Sequence, residues 1–220
     1  MLSHIKNALQ KTLLKRLFAP VLYRHPPIGL QPSELGVYLH ELLVRSNVQG
    51  EIAEVGCSLG GTAVVASQLV RKYSPDKSYT CFDTFGGFVD EQFEKDRSLG
   101  TPADRADFYS SSSIRLVRRI LDLHGCQEVR LVQGDISNIS DAFLEEKYSV
   151  VLMDVDLAIP TYAGLKRFYP RLSQGGIILV DDCRQDPEQG WRAFLGYQQF
   201  CLEEGIEARV QYGFGILEKY

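Results

Sequence analysis

The sequence predicts an α/β protein with a doubly wound, mostly parallel seven-stranded sheet and an N-terminal helical arm. Strand-like and helix-like segments alternate along residues 51–218, and the strand segments 150–153 and 177–180 are apolar at every position. Uninterrupted apolar runs are typical of central strands that helices cover on both faces. The 220 residues, 45% of them hydrophobic, fit one such domain, which we place at residues 34–220.

The arm, residues 1–33, holds five basic residues and no acidic one, whereas the whole chain carries a net charge of −4. Its larger apolar residues recur at near-helical spacing, which predicts an amphipathic helix. They are Leu2, Ile5, Leu9, Leu13, Leu14 and Leu17. Packing on its own domain or in a homo-oligomer is the first interpretation of this helix. A membrane-surface or targeting role is the alternative.

The elements after the arm follow from apolar spacing and from Gly and Pro punctuation. A helix should begin at Pro32, with Ser33 as its N-cap, and end near Arg45. Strands are expected at residues 51–55, 79–83, 129–133, 150–154, 177–180, 206–211 and 214–218. Helices are expected at residues 62–73, 110–124, 162–172 and 191–204, with a weak one at 141–147. Residues 84–110 should be irregular, and residues 84–113 form a candidate lid over a ligand site.

Charge and cysteine usage exclude several classes of protein. A net negative charge gives no basis for nucleic-acid binding, which depends on clustered Lys and Arg. Five scattered cysteines, an odd number with no C-x-x-C pair, favour neither a disulfide framework nor a zinc site. Since no apolar run is long enough to span a bilayer and no signal peptide is recognisable, we expect a soluble, cytoplasmic protein.

Carboxylates end five predicted strands, and this pattern points to the ligand site. Ligands of doubly wound sheets bind beyond the carboxyl ends of the strands. The acids at those ends are Glu54, Asp83, Asp135, Asp154, Asp181 and Asp182. Five acidic strand ends in succession are hard to attribute to solubility alone.

The loop from Glu54 to Thr62 joins a strand to a helix and is rich in glycine, which lets the backbone approach a ligand. It lacks the G-K-[ST] of a Walker loop and the G-x-G-x-x-G of a dinucleotide fold. Glu54 would repel a pyrophosphate but attract a cationic sulfonium or amino group. The loop therefore favours a cationic cofactor, although a tight packing turn is the structural alternative.

Asp154 and the pair Asp181-Asp182 end two neighbouring buried strands. Carboxylates converging on one crevice repel one another unless a cation or protons neutralise them. Oxygen donors favour Mg²⁺, Mn²⁺ or Ca²⁺ over zinc. Alternatively, the pair only caps the helix that follows.

These motifs resemble class I S-adenosylmethionine-dependent methyltransferases and, more closely, the macrocin O-methyltransferase (TylF-like) family. The resemblance covers roughly residues 30–220 and rests on residues 50–56, 82–87 and 132–135 and on the stretch from Asp154 through residues 169–176 to Asp181-Asp182. It implies a Rossmann-like methyltransferase fold and an O-methyltransferase that uses S-adenosylmethionine and Mg²⁺ (or Mn²⁺). The implied acceptor is a hydroxyl of a sugar or phenolic moiety of a natural product.

The resemblance also assigns residues. The implied metal ligands are Asp154, Asp181 and Asp182, and Asp154 is also the implied catalytic base. The implied cofactor-binding residues are Glu54, Gly56, Ser58, Gly60, Thr62, Asp83, Gly134, Asp135, Ile136 and Asp154.

The chain departs from the family pattern at several positions. Ser58 replaces the middle glycine of the first motif. Cys183 replaces the tyrosine that often follows the acid pair, and Leu157 stands where catechol-type enzymes have lysine. Aromatic residues of the lid, such as Phe88 and Tyr109, are candidates to stack on the acceptor. A non-catalytic S-adenosylmethionine-binding scaffold subunit and a metal-dependent hydrolase remain the competing functions.

Overall fold

The computed structural model describes residues 13–184 and 190–220, and within them one seven-stranded sheet forms the centre of the molecule. Its strands are β1 Glu51–Val55, β2 Tyr79–Asp83, β3 Arg130–Gln133, β4 Tyr148–Met153, β5 Leu172–Val180, β6 Arg209–Gln211 and β7 Phe214–Glu218. The order is β3-β2-β1-β4-β5-β7-β6, with β1 to β5 parallel and β7 antiparallel to both of its neighbours. The predicted fold class is confirmed.

Helices cover both faces of this sheet. They are α1 Ala19–Leu22, α2 Pro32–Val44, α3 Gly61–Tyr73, α4 Asp90–Ser98, α5 Ile114–Leu123, α6 Ala158–Phe168 and α7 Ala193–Glu204. One apolar core joins one face to α2, α3 and α5, and a second joins the other face to α6 and α7. Every residue of β4 is buried between the two cores, as the continuous apolar run at residues 150–153 predicts.

The chain order places the ligand crevice between β1 and β4. β2 and β3 extend the sheet to one side of β1, while β4 and β5 extend it to the other. Loops after β1 and β4 therefore leave the sheet toward opposite faces and open a crevice between them. Residues that follow these strands are consequently the ones placed to contact a ligand.

Several predicted boundaries were wrong. The predicted irregular segment 84–110 contains α4, which buries only Gln92, Phe93 and Asp96 and so carries no apolar stripe in its sequence. Ser33 is not the N-cap of α2. Pro32 occupies the first turn, the cap is Gln31, and the backbone N–H of Gln31 donates to Glu34 Oε2 at 2.9 Å.

Other segments differ from expectation only in extent. Residues 141–147 reduce to a 3-10 turn at Asp141–Phe143, α5 begins at Ile114, and α7 begins at Ala193. The helix expected at 162–172 is α6, which begins at Ala158 and is followed by the 3-10 turn Tyr169–Arg171.

The described part of the arm is helical over residues 13–17 and again in α1. Its inner side is packed, because Ala19 and Tyr23 are buried. Leu2, Ile5 and Leu9 lie outside the described residues. Each described helix is too short or too polar to cross a bilayer. All five cysteines are buried and free.

Candidate cofactor and metal site

Gly56 brings the ends of β1 and β4 into contact. Its φ of +89° lies in the left-handed region, and a Cβ there would come within 1.7 Å of the backbone oxygen of Asp154. The backbone N–H of Asp154 in turn donates to Val55 O at 2.7 Å. Only glycine permits this approach, so the turn after β1 is held directly against the residue that opens the acidic site.

Asp83, at the end of β2, organises the same turn. One of its carboxylate oxygens accepts the backbone N–H of Ser58 at 2.9 Å, and the other accepts that of Phe85 at 2.7 Å. Ser58 has a φ of +50°, so this serine adopts the left-handed conformation that glycine adopts easily. Burial raises the pKa of Asp83, although both backbone donors oppose the shift. Asp83 lines a cavity at the carboxyl ends of the strands.

The carboxyl group of Glu54 points away from that cavity. Residues of a strand alternate between faces, and Glu54 shares the face of Ile52, which packs toward α2 and α3. The Tyr79 hydroxyl donates to Glu54, and the Tyr38 and Tyr79 hydroxyls lie 2.8 Å apart. Burial raises the pKa of Glu54 to about 8. The structure therefore shows Glu54 as a buried acid on the face of β1 opposite the cavity, where it supports the turn structurally.

The cavity has a volume of about 420 Å³ and collects most of the predicted cofactor residues. Those on its wall are Gly56, Ser58, Asp83, Gly134, Asp135, Ile136 and Asp154. Asp135 is held by Gln92 of α4, whose Nε2 donates to Asp135 Oδ2 at 2.9 Å.

Three predicted cofactor residues are not on the cavity wall as the structure describes it. Glu54 faces the opposite side, as described above. Gly60 is the left-handed N-cap of α3, and Thr62 is buried in the first turn of that helix. Their positions indicate structural support of the loop.

Asp154, Asp156 and Asp182 form an acidic cluster at the other end of the cavity. One carboxylate oxygen from each lies within 4.8 Å of the other two. Asp181 lines the cavity but does not belong to this group among the described residues. Two of the three predicted metal ligands thus meet, with Asp156 as their third neighbour, and the role of Asp181 stays a prediction.

Asp156 is the site residue that sequence reasoning missed. It is only 7% exposed, and its φ of +62° is unusual for a residue other than glycine. Its backbone oxygen accepts the N–H groups of Arg192 and Ala193 at the start of α7, at 3.0 and 2.8 Å. A second acid two residues after Asp154 was the available signal, but its burial depends on a distant helix.

Burial and mutual repulsion disfavour ionisation of the cluster when no cation is bound. Burial is the largest cause of the raised pKa values of Asp154, Asp156 and Asp181, and neighbouring carboxylates add to it. The pKa of Asp181 rises to about 8. A divalent cation would remove this penalty, and the donors are all carboxylate oxygens, the ligands that Mg²⁺ and Mn²⁺ prefer. The donor set therefore fits the predicted metal.

Aromatic side chains form the cavity wall beside the acids. The Trp191 ring lies 6.5 Å from that of Tyr109 and 5.5 Å from that of Phe88, between centroids, and the Arg105 guanidinium lies over Trp191 at 4.6 Å. Phe108 also lines the cavity, whereas Phe93 packs behind Phe88. The expected aromatic surface is therefore present, and Trp191 is part of it.

Comparison with known proteins identifies relatives of the chain. The family profile described as Macrocin-O-methyltransferase (TylF) matches residues 36–211. Mycinamicin III 3''-O-methyltransferase of Micromonospora griseorubida is 26% identical over 164 residues, which are 72% of this chain and 65% of that protein. Demethyldecarbamoylnovobiocin O-methyltransferase of Streptomyces niveus is 26% identical over 168 residues, which are 74% and 64%. The chain thus spans slightly less than two thirds of these curated relatives.

Solved structures share the fold. The O-methyltransferase NovP superposes with a TM-score of 0.69 and 20% identity, covering 84% of this chain and 78% of NovP. The calicheamicin methyltransferase CalS11 superposes with a TM-score of 0.66 and 22% identity, covering 97% and 91%.

Proposed function

The chain belongs to the macrocin-O-methyltransferase (TylF) family, and from this premise we propose that it transfers a methyl group from S-adenosylmethionine to a hydroxyl of a small molecule with the help of a divalent metal. The observation that carries the proposal is one cavity that joins the loop around Gly56 and Asp83 to the cluster of Asp154, Asp156 and Asp182. A donor site and an acidic metal site open into the same space.

The donor end is formed by the residues after β1, β2 and β3. Asp83 accepts the ribose hydroxyls, because its buried carboxylate lines the cavity at the end of β2. Asp135, which accepts a hydrogen bond from Gln92, and Ile136, which lines the cavity beside it, contact the adenine. S-adenosylmethionine, when bound, supplies the methyl group on a cationic sulfur. The chain contributes chiefly by aligning that methyl with the acceptor oxygen.

The acidic end holds the metal and receives the proton. Asp154 and Asp182, with Asp181 or Asp156, are the proposed ligands of Mg²⁺ or Mn²⁺. Bound there, the metal would supply Lewis-acid chemistry that eases removal of the acceptor's proton. Asp154 is the proposed base that accepts the acceptor's proton. Asp156 is the second candidate, because it lines the same cavity and one of its carboxylate oxygens lies within 4.8 Å of one of Asp154.

The acceptor lies between the acidic cluster and the aromatic wall of Phe88, Tyr109 and Trp191. These rings suit the flat face of a sugar or a phenol. The relatives named above are O-methyltransferases of mycinamicin III and of demethyldecarbamoylnovobiocin, which supports a natural-product sugar or phenolic acceptor here. Residues 84–113 supply most of this wall, and we propose that they act as its lid.

Isothermal titration tests the proposal. The purified chain is titrated with S-adenosylmethionine and S-adenosylhomocysteine, each with and without Mg²⁺, before sugars and phenols are screened as acceptors. Binding of both cofactor forms followed by methylation of a hydroxyl would support it. Cofactor binding without turnover on any acceptor class would favour the scaffold subunit, and metal binding without cofactor binding would favour the hydrolase.

A further inference from the structure

The outer side of the arm carries a continuous apolar face. Six large apolar side chains between residues 13 and 22 are 53% to 76% exposed. They are Leu13, Leu14, Leu17, Phe18, Val21 and Leu22. They recur at helical spacing, and the backbone N–H groups of Phe18 and Leu22 donate to oxygens four residues earlier, so the helical path continues through the turn at Phe18. The inner residues Ala19 and Tyr23 are buried.

Basic residues border this face. α1 packs against α5, and a shallow groove beside the arm is lined by Arg16, Arg115, Arg118 and Arg119. Asp122, the one acid among the described residues that line this groove, lies 3.9 Å from Arg118. Lys15 Nζ donates to Ser111 Oγ at 2.5 Å, which ties the arm to the segment before α5. Arg16, Arg115 and Arg119 are exposed.

We propose that this surface, residues 13–22 with the arginines of α5, docks the protein on an anionic lipid bilayer. A helix that lies in the membrane interface buries an apolar face among acyl chains and places Lys or Arg at the headgroups. Both parts are present here, because Arg16 of the arm and the arginines of α5 line one groove, on a protein whose net charge is −4. Anionic headgroups match the arginines, and the bilayer interior matches the six apolar side chains.

A second copy of the chain is a poorer occupant of this surface. Two copies related by a twofold axis would bring the same patch together. Such an interface would gather Arg16, Arg115 and Arg119 of both copies around an apolar contact, with Asp122 of each copy to offset them, and like charges repel. A nucleic acid would satisfy the arginines but leave the apolar side chains in water.

A short segment of the arm connects the docking surface to the wall of the cavity. It passes through Pro27, whose backbone packs so tightly on Gly61 that a Cβ at Gly61 would come within 2.2 Å of it. Gly29 and Gln31 then line the cavity itself. Docking would therefore hold one side of the cavity near the lipid surface, whatever reaction the cavity performs.

Co-sedimentation of the full chain with vesicles tests the proposal. Vesicles of phosphatidylcholine alone are compared with vesicles that also contain phosphatidylglycerol, at low and high salt. We expect binding to the anionic vesicles, with weakening by salt because headgroup attraction is screened. Arg115→Gln with Arg119→Gln should weaken it by about 25-fold, since each arginine contributes about fivefold. Leu17→Ser with Val21→Ser should weaken it by about tenfold or more.

Matched variants control for charge and apolarity elsewhere. Lys95→Gln with Arg97→Gln removes two exposed charges from α4, and Leu202→Ser with Tyr212→Ser removes two exposed apolar groups. Both should bind as the parent does, and circular dichroism checks that every variant folds. Equal binding to both vesicle types, no binding to either, or control variants as weak as the arm variants would overturn the proposal. Light scattering that showed a dimer broken by the arm variants would also overturn it.

Discussion

One carboxylate oxygen of Asp156 lies within 4.8 Å of one carboxylate oxygen of Asp182, and after burial this neighbouring acid is the largest cause of the raised pKa of Asp156. Both residues have left-handed backbones, with φ of +62° and +56°. Non-glycine residues adopt that conformation at a cost, which the surrounding structure must offset. The chain therefore holds two acids together where they repel, and a bound cation would offset this repulsion.

Substitutions of Asp154 and Asp156 test the acidic end of the cavity separately from the donor end. Asp154→Asn should abolish turnover and lower metal affinity, because a carboxylate ligand and the proposed base are lost, while affinity for S-adenosylmethionine changes little. Asp156→Asn should lower turnover by about 10²- to 10⁴-fold with metal affinity retained if Asp156 is the base instead. Titration calorimetry and steady-state rates measure both, with exposed Asp76→Asn as control. Full activity of Asp154→Asn would exclude its proposed roles.

Stability should depend on pH through the acidic cluster. An unfolded chain loses these protons near pH 3.8, whereas the folded chain retains them to higher pH, for Asp181 to about 8. The folded state binds more protons in this window, so without metal the cluster's contribution to the free energy of unfolding falls as pH rises from about 4 to about 8. Mg²⁺ requires deprotonated ligands.

Thermal melts check this pH dependence. Mg²⁺ should raise the melting temperature more at about pH 8 than at about pH 5, because more protons must be displaced at the lower pH. Asp156→Asn, which removes one titrating group, should reduce the slope measured without metal. An Mg²⁺ effect that is the same at both pH values would contradict the expectation.

Asp83→Ala should weaken binding of S-adenosylmethionine and S-adenosylhomocysteine by about tenfold to a hundredfold, the usual worth of hydrogen bonds to a charged group. The side chain also holds the N–H groups of Ser58 and Phe85. Asp83→Asn keeps one acceptor oxygen and should lose less. Calorimetry checks both variants. If Asp83→Ala binds either cofactor form as tightly as the parent does, Asp83 is not part of the donor site.

Trp191 is the only tryptophan of the chain, and it lines the cavity. Its fluorescence should therefore change when an acceptor binds beside the acidic cluster. Trp191→Ala should raise the KM for the acceptor with little effect on cofactor affinity, since its ring packs against Tyr109 and Phe88. Tyr212→Ala, at an exposed position, serves as control. Acceptor binding that leaves the emission unchanged would argue for a different acceptor position.

Asp96 connects α4 to α6. Its buried carboxylate accepts the N–H of Ala158 at 3.2 Å from both oxygens, in the first turn of α6. Asp96→Ala leaves that donor without its partner and should lower the free energy of unfolding by about 1–3 kcal/mol. Urea denaturation measures the change. Glu94→Ala, an exposed acid on the same helix, should change it by less than about 1 kcal/mol.

Sequence patterns predicted the sheet best where turn residues flank short apolar strands. The bounds of β1, β2 and β7 match their predicted ranges, and the fold class follows from the alternation. α4 escaped prediction because it packs through Gln92 and Asp96 as well as Phe93. Its burial is set by Asp135 and Ala158, which are far away in the chain.

The candidate site was predicted in outline. Strand ends indicated Asp83, Asp154 and Asp182, because parallel strands place their carboxyl ends at one edge. The direction of Glu54 depends on which side of β1 faces the cavity, and Asp156 enters the cluster only through backbone bonds to α7. Such details arise from tertiary packing, so local sequence does not reveal them.

The contact between Gly56 and Asp154 bears on how this protein can diversify. No side chain fits at position 56, so any substitution of Gly56 would disrupt the whole crevice. Phe88, Phe108 and Trp191 line the same cavity away from that contact. If the proposed function holds, selection for new acceptors can explore those positions while the proposed methyl-donor half stays constant, which makes the aromatic wall the evolvable part of the molecule.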